Sequence, residues 1–125
     1  MEVGIGIHGE PGRQRTKIMS ATEIVDLLLN AIVPDLPFES GDEVALMVNG
    51  LGGTTISELY LLYGQAHKVL AAKGITVFRS YVGEYCTSLE MAGATVTIMR
   101  LDDELRRYVD LSADSVGLRQ FGADG

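Results

Sequence analysis

The spacing Ser20-Ala21-Thr22-Glu23 constrains this chain most, because a hydroxyl three residues ahead of a glutamate is a helix-start capping box, and Thr55 and Glu58 repeat it. Two helix starts are thereby fixed. After the first, Ile24, Leu27, Leu28, Ala31 and Ile32 recur at helical intervals, which predicts a helix over 21–33 that Pro34 and Pro37 stop. After the second, Ile56, Leu59, Tyr60, Tyr63 and Leu70 share one helical face, and Gly74 ends the helix. The segments around these helices are short and β-prone. Residues 2–8 alternate glycine with valine or isoleucine; residues 43–49 are an apolar run sized for a buried strand after the Ser40-Gly41-Asp42 turn; residues 75–81 read as a third strand. Two further β-prone stretches, 87–91 and 94–101, meet at Ala92-Gly93 and predict a tight hairpin, and Asp102-Asp103 can start a last short helix. The order strand, helix, strand, helix, strand, hairpin predicts an α/β fold, a layered mixed β-sheet with flanking helices and a C-terminal β-hairpin. Residues 1–110 form one domain, and 111–125, where the pattern decays, read as a frayed tail.

Bulk properties exclude several functions. A chain of 125 residues, 46% hydrophobic and 22% charged, can bury a real core as a single globular domain. No apolar run approaches the roughly 20 residues that span a bilayer. The start lacks a signal peptide's basic and apolar regions, and the single Cys86 cannot form an internal disulfide, so a cytoplasmic location is expected. Seventeen acidic against ten basic side chains give a net charge of −7. Nucleic-acid binding, which needs a concentrated basic face, is not expected; the Arg13-Gln14-Arg15-Thr16-Lys17 cluster reads as a solvated loop.

Among candidate site residues His8 stands out. It ends an apolar, glycine-spaced strand just before a turn, with glycines at 4, 6, 9 and 12 leaving little bulk around the ring, and Gly9 and Gly12 are free to take positive φ. Such an imidazole either caps the strand through a turn carbonyl or serves as a nucleophile open to a small ligand. Glu10, two residues on, is an exposed turn carboxylate or a proton partner for that imidazole. The loop at 50–55 resembles an anion cradle, yet it matches neither a Walker loop nor a dinucleotide fingerprint and reads better as a strand-to-helix turn. Cys86 has no metal-ligand spacing and reads as a buried packing thiol, His67 as a commonplace helix histidine, and Asp102, Asp103 and Glu104 as dipole-compensating residues at a helix start.

Three ordered blocks carry a family resemblance: Gly6-Ile7-His8-Gly9-Glu10-Pro11-Gly12; Val48-Asn49-Gly50-Leu51-Gly52-Gly53-Thr54 with Ser57-Glu58-Leu59-Tyr60; and Thr87-Ser88-Leu89-Glu90-Met91-Ala92-Gly93, running on to Leu101-Asp102-Asp103-Glu104. Over residues 1 to about 106 the chain resembles the C-terminal half of the dihydroxyacetone-binding subunit of dihydroxyacetone kinases. The resemblance implies that His8 forms a covalent hemiaminal with the carbonyl of dihydroxyacetone, whose terminal hydroxyl then receives a phosphoryl group. It also implies partners. The family's N-terminal half, with its second histidine, lysine and aspartate, has no counterpart in this sequence. Nor does the nucleotide-binding domain, so ATP or ADP and Mg are expected on a partner domain or subunit, with no cofactor bound by this chain. The implied assembly is a homodimer completed by those parts and inactive as a kinase without them. A degenerate relative of the same fold would instead be a noncatalytic dimerisation or regulator-docking module.

Overall fold

The computed structural model describes residues 1–6 and 11–122. At its centre is a three-stranded mixed sheet in the order β4-β3-β5, built from β3 (Glu43–Gly50), β4 (Thr76–Gly83) and β5 (Ala94–Leu101). β3 runs parallel to β4 and antiparallel to β5. Two helices, α1 (Ala21–Asp35) and α2 (Ile56–Ala72), pack on one face, where Val44, Leu46 and Val48 of β3 meet Val25, Leu29, Leu59, Leu62, Ala66 and Leu70. This is the expected α/β architecture with a mixed sheet. Both predicted capping boxes are present: the Ser20 and Thr55 side chains accept from the Glu23 and Glu58 amides, and those glutamates accept from the cap amides in return.

The helices are rotated from the phase that their sequences suggest. On α1 the fully buried residues are Val25 and Leu29, while Leu27, Leu28, Ala31 and Ile32 are only half covered. On α2 the stripe 59, 62, 66, 70 is buried, leaving Ile56 and Tyr60 more than half exposed. Neither helix offers a single apolar stripe, so packing on β3 rather than periodicity selects the face. α1 also passes through Pro34, because a proline in the last turn loses one amide without leaving helical φ; Pro37 then holds Leu36 extended at φ −110°, ψ 107°.

The opposite sheet face is partly covered by the segment after β5, which leaves Thr97 and Met99 exposed. Helix α3 (Asp103–Val109), capped by Asp102, sets Arg106 over the Phe78 ring at 4.4 Å and beside Glu43 at 3.4 Å. Beyond it lies a hairpin of β6 (Ala113–Asp114) and β7 (Arg119–Gln120). The C-terminal hairpin therefore lies here, not at Ala92-Gly93, and 87–91 forms no strand. Residues 111–122, read from sequence as a frayed tail, are fastened through Tyr81 to Gln120 at 3.2 Å and Gln120 to the Val109 carbonyl at 2.9 Å. The Arg79–Asp110 ion pair at 2.7 Å secures the preceding turn.

Among the described residues of the expected strand 2–8, Glu2–Val3 (β1) is strand, paired antiparallel with Gln14–Arg15 (β2), and residues 7 and 8 lie outside the description. An ion pair of Glu2 with Arg15 at 3.2 Å and a bond from the Arg13 amide to the Val3 carbonyl at 2.7 Å reinforce this ladder. Gly4 takes a positive φ of 76°; Gly12 is needed for space and not for a positive φ, since a Cβ there would lie 2.9 Å from the Val3 carbonyl oxygen, and Gly9 lies outside the described residues.

Candidate functional site

Asn49 is the buried polar residue of β3, 3% exposed, and such a group must find partners. Its Oδ1 accepts from the Tyr85 and Cys86 amides at 2.8 and 2.9 Å, and its Nδ2 donates to the Cys86 carbonyl at 2.9 Å and to Thr95 Oγ1 at 3.4 Å. One side chain thus ties the end of β3 to the connection leaving β4 and to β5.

Around this tie the second and third motif blocks close on each other. Leu51 donates to the Gly93 carbonyl at 3.1 Å and accepts from the Ser88 and Met91 amides at 3.2 Å each; Gly53 donates to the Met91 carbonyl at 3.0 Å; Thr54 Oγ1 donates to the Gly93 carbonyl at 2.8 Å. The glycines are there for this approach. Gly52 has φ 101°, and a Cβ on it would lie 2.7 Å from the Ser88 carbonyl oxygen; one on Gly53 would lie 2.9 Å from that of Glu90. Glu90 itself takes φ 50° at the turn of the third block.

The loop at 50–55 is not an open anion cradle. Glu84 places its carboxylate against Gly50 and accepts from the Gly52 amide at 3.0 Å, the Leu51 and Gly53 amides go to carbonyls, and the Thr55 amide goes to Glu58. A chain carboxylate already holds the place an anion would take. The strand-to-helix turn is the reading that fits.

Tyr81 and Tyr85 meet edge to face at 6.2 Å beside this loop pair. Burial, with the neighbouring Tyr60 and Tyr81, pushes the Tyr85 phenol up, so it stays protonated at neutral pH. Cys86 is exposed, which corrects the expectation of a buried thiol: its backbone is held by Asn49 while its side chain faces solvent. His67 stands against the Tyr63 ring at 6.0 Å, toward the end of α2 away from the loops, and lines an open depression with Ala71, Gly74 and Ile75. Asp102 accepts from the Leu105 amide at 2.8 Å as the α3 cap, and Glu104 accepts from Tyr108 at 3.2 Å. Among the described residues no group of histidine, cysteine, aspartate and glutamate could hold a metal ion, and no helix is long and apolar enough to cross a membrane.

His8 and Glu10 lie outside the described residues. The ladder of β1 and β2 is the base of the segment that carries them. What sequence reasoning missed were Asn49 and Glu84 as ties between blocks. An amide side chain ending an apolar strand was the available signal for the first; nothing local announced the second.

Comparison with known proteins gives a consistent result. The Dak1 domain family matches residues 1–117. The chain is 40% identical over 115 residues to the dihydroxyacetone-binding subunit of a PTS-dependent dihydroxyacetone kinase from Listeria innocua, covering 92% of this chain and 35% of that one. It is 38% identical over 124 residues to an L-erythrulose kinase from Pectobacterium atrosepticum, covering 96% of this chain and 21% of that one. A solved structure of a dihydroxyacetone kinase operon co-activator superposes with a TM-score of 0.79 at 31% identity, covering 87% of this chain and 34% of the other. The chain thus spans about a third or less of the length of these relatives.

Proposed function

The chain belongs to the Dak1 domain family, and from that premise we propose that it is the hemiaminal-forming part of a dihydroxyacetone kinase, with His8 as the residue that captures the substrate. The unprotonated imidazole nitrogen adds to the ketone carbon of dihydroxyacetone. A C–N bond forms, the carbonyl π bond breaks, its oxygen takes a proton, and the other ring nitrogen gives one up. The tethered substrate then presents a terminal hydroxyl for phosphoryl transfer. Selection follows from chemistry rather than shape: glycerol matches dihydroxyacetone in size and polarity but has no carbonyl to add to. Holding the ketose in one pose also removes part of the entropic barrier to transfer.

The family match across residues 1–117, with the histidine block in its expected order, is the observation that carries this reading. The phosphoryl donor and magnesium belong to a nucleotide-binding partner, and the acid-base groups to the N-terminal half of the subunit. The working assembly is a cytoplasmic homodimer, and the isolated chain binds the ketose without phosphorylating it.

A second reading is favoured by the fold shared with an operon co-activator: a noncatalytic module that docks a regulator. Native mass spectrometry after incubation with dihydroxyacetone, which reads the intact adduct without a reductant, separates the two. An adduct on the wild-type chain that is lost in His8→Ala is expected. No adduct on the wild type, or an equal yield in His8→Ala, overturns the assignment.

A further inference from the structure

We propose that Asn49-Gly50 is a chemical modification site that the fold holds closed, and that an opened molecule is marked there irreversibly by loss of the Asn49 side-chain nitrogen as ammonia. The sequence supplies the reactivity. An asparagine before glycine cyclises more readily than one before any residue with a Cβ, because nothing on the glycine hinders its nitrogen as it approaches the side-chain carbonyl carbon. The chain has asparagines at 30 and 49; Asn49 precedes glycine, whereas Asn30 precedes Ala31. The Gly50 nitrogen gives its proton to solvent base and attacks Asn49 Cγ. A C–N bond forms, the Cγ–Nδ2 bond breaks, and ammonia leaves with a proton from water. Water then adds to one carbonyl of the cyclic imide and opens it. The product at 49 is aspartate or isoaspartate, the latter with the main chain running through the former side chain.

The structure supplies the restraint. Both residues lie in β3, with Asn49 opposite Gly83 on one side and Thr95 on the other, and Gly50 opposite Ala94. Strand backbone, with ψ of about +115 to +135°, turns the following nitrogen away from Cγ, so that ring closure needs a rotation on the order of 100° about the Cα–C bond. That rotation would pull Gly50 out of the sheet. The side chain is fixed as firmly: Asn49 is 3% exposed, its Oδ1 accepts from the Tyr85 and Cys86 amides, and its Nδ2 donates to the Cys86 carbonyl and Thr95. Packing also keeps the labile pair in place. The Glu84 carboxylate fills the space that a Cβ on residue 50 would take, so a bulkier and protective neighbour does not fit.

Refolding does not undo the change. Either product exchanges the Nδ2 donor for an oxygen and sets it against the Cys86 carbonyl, to which the wild type donates at 2.9 Å. It also places a carboxylate where the side chain is almost fully buried. Isoaspartate in addition inserts a methylene carbon into the main chain of β3, which moves Gly50 out of register with Ala94. A molecule that stays open long enough to cyclise therefore cannot rebuild the tie between β3 and residues 85–86.

Peptide mass spectrometry of the 125-residue chain, incubated at mildly alkaline pH both folded and in guanidinium chloride, is the test. In the unfolded chain Asn49 should exchange its amide for a hydroxyl faster than Asn30 does. In the folded chain the same change should be at least about tenfold slower, because it waits on local opening. Gly50→Ala, read in guanidinium chloride where its fold is not needed, should slow it by at least about tenfold. After the denaturant is removed, chains converted at 49 should unfold at lower urea than unconverted ones and exchange their Tyr85 and Cys86 amides faster. Asn49→Asp, which reproduces one product without the reaction, should show the same lowered midpoint. Equal rates at Asn49 in the folded and unfolded chain, a rate in guanidinium chloride no greater than that at Asn30, or a wild-type urea midpoint in the converted chains would each overturn the proposal.

Discussion

Asn49→Ala tests whether the two motif blocks are held by one buried side chain. In the wild type Asn49 satisfies the Tyr85 and Cys86 amides and the Cys86 carbonyl, all within 2.9 Å. Truncation strands three backbone groups. An unsatisfied buried group costs about 1–3 kcal/mol. Tyr85 and Cys86 are themselves exposed, so water can reach part of what is lost, and the total reduces to about 2–4 kcal/mol. Against a folding free energy of roughly 5–15 kcal/mol this is a large fraction. With a urea dependence of about 1–3 kcal/mol per molar, the unfolding midpoint should fall by about 1–2 M. Hydrogen exchange should also show the Tyr85, Cys86, Ser88 and Met91 amides opening faster, because the tie that holds 84–93 against Leu51 is gone. Thr95→Val removes only the 3.4 Å contact and should cost less than about 1 kcal/mol. A stability change in Asn49→Ala below about 0.5 kcal/mol, with protection at residues 85 and 86 unaltered, would refute the reasoning.

Two further experiments probe the same structure. Gly52→Ala should destabilise by about 2–4 kcal/mol, since it combines a positive φ of 101° with a carbonyl oxygen 2.7 Å from the new Cβ, whereas Gly41→Ala, with φ 100° and open space, should show only the backbone strain of about 1–2 kcal/mol; paired urea titrations decide, and equal losses would mean that crowding against Ser88 is absent. The hydrogen bonds from Ser20 and Thr55 hold the Glu23 and Glu58 carboxyls below the usual range, so their stabilisation is full above the unfolded value of 4.5 and is lost as pH falls through the depressed folded values. Thermal midpoints from about pH 6 to pH 3 should therefore fall more steeply for the wild type than for the double variant Glu23→Gln, Glu58→Gln, and parallel curves would remove the caps from the acid response.

The parts of the fold legible in the sequence were those set by local chemistry. Ser20 and Glu23, or Thr55 and Glu58, bond each other across one turn, so spacing alone announces them. The phase of α1 was not legible, because Val25 and Leu29 compete with Leu27, Leu28, Ala31 and Ile32, and only the position of β3 decides which set is buried. Residues 87–91 have β propensity without a strand beside them, and their backbone groups find Leu51 and Gly53 instead. The placement of residues 111–122 depends on Gln120 reaching Tyr81 and the Val109 carbonyl, contacts with no local signature.

The motif blocks divide by what their residues are needed for. In the second block Asn49, Leu51, Gly52, Gly53 and Thr54 are each accounted for by closure onto residues 85–93, and the glycines by the room that closure requires. In the third block Ser88, Met91 and Gly93 supply the matching backbone groups. The Gly52 amide is taken by Glu84. These two blocks build a hydrogen-bonded junction at the end of β3 in which the Leu51, Gly52, Gly53 and Thr55 amides are taken within the chain. The histidine block differs in composition: it places an imidazole and a carboxylate among glycines, on a segment whose base is the β1 and β2 ladder. Covalent capture of a ketose is the role proposed above for His8, on the family resemblance. The junction's part is to fix the end of β3 against residues 85–93.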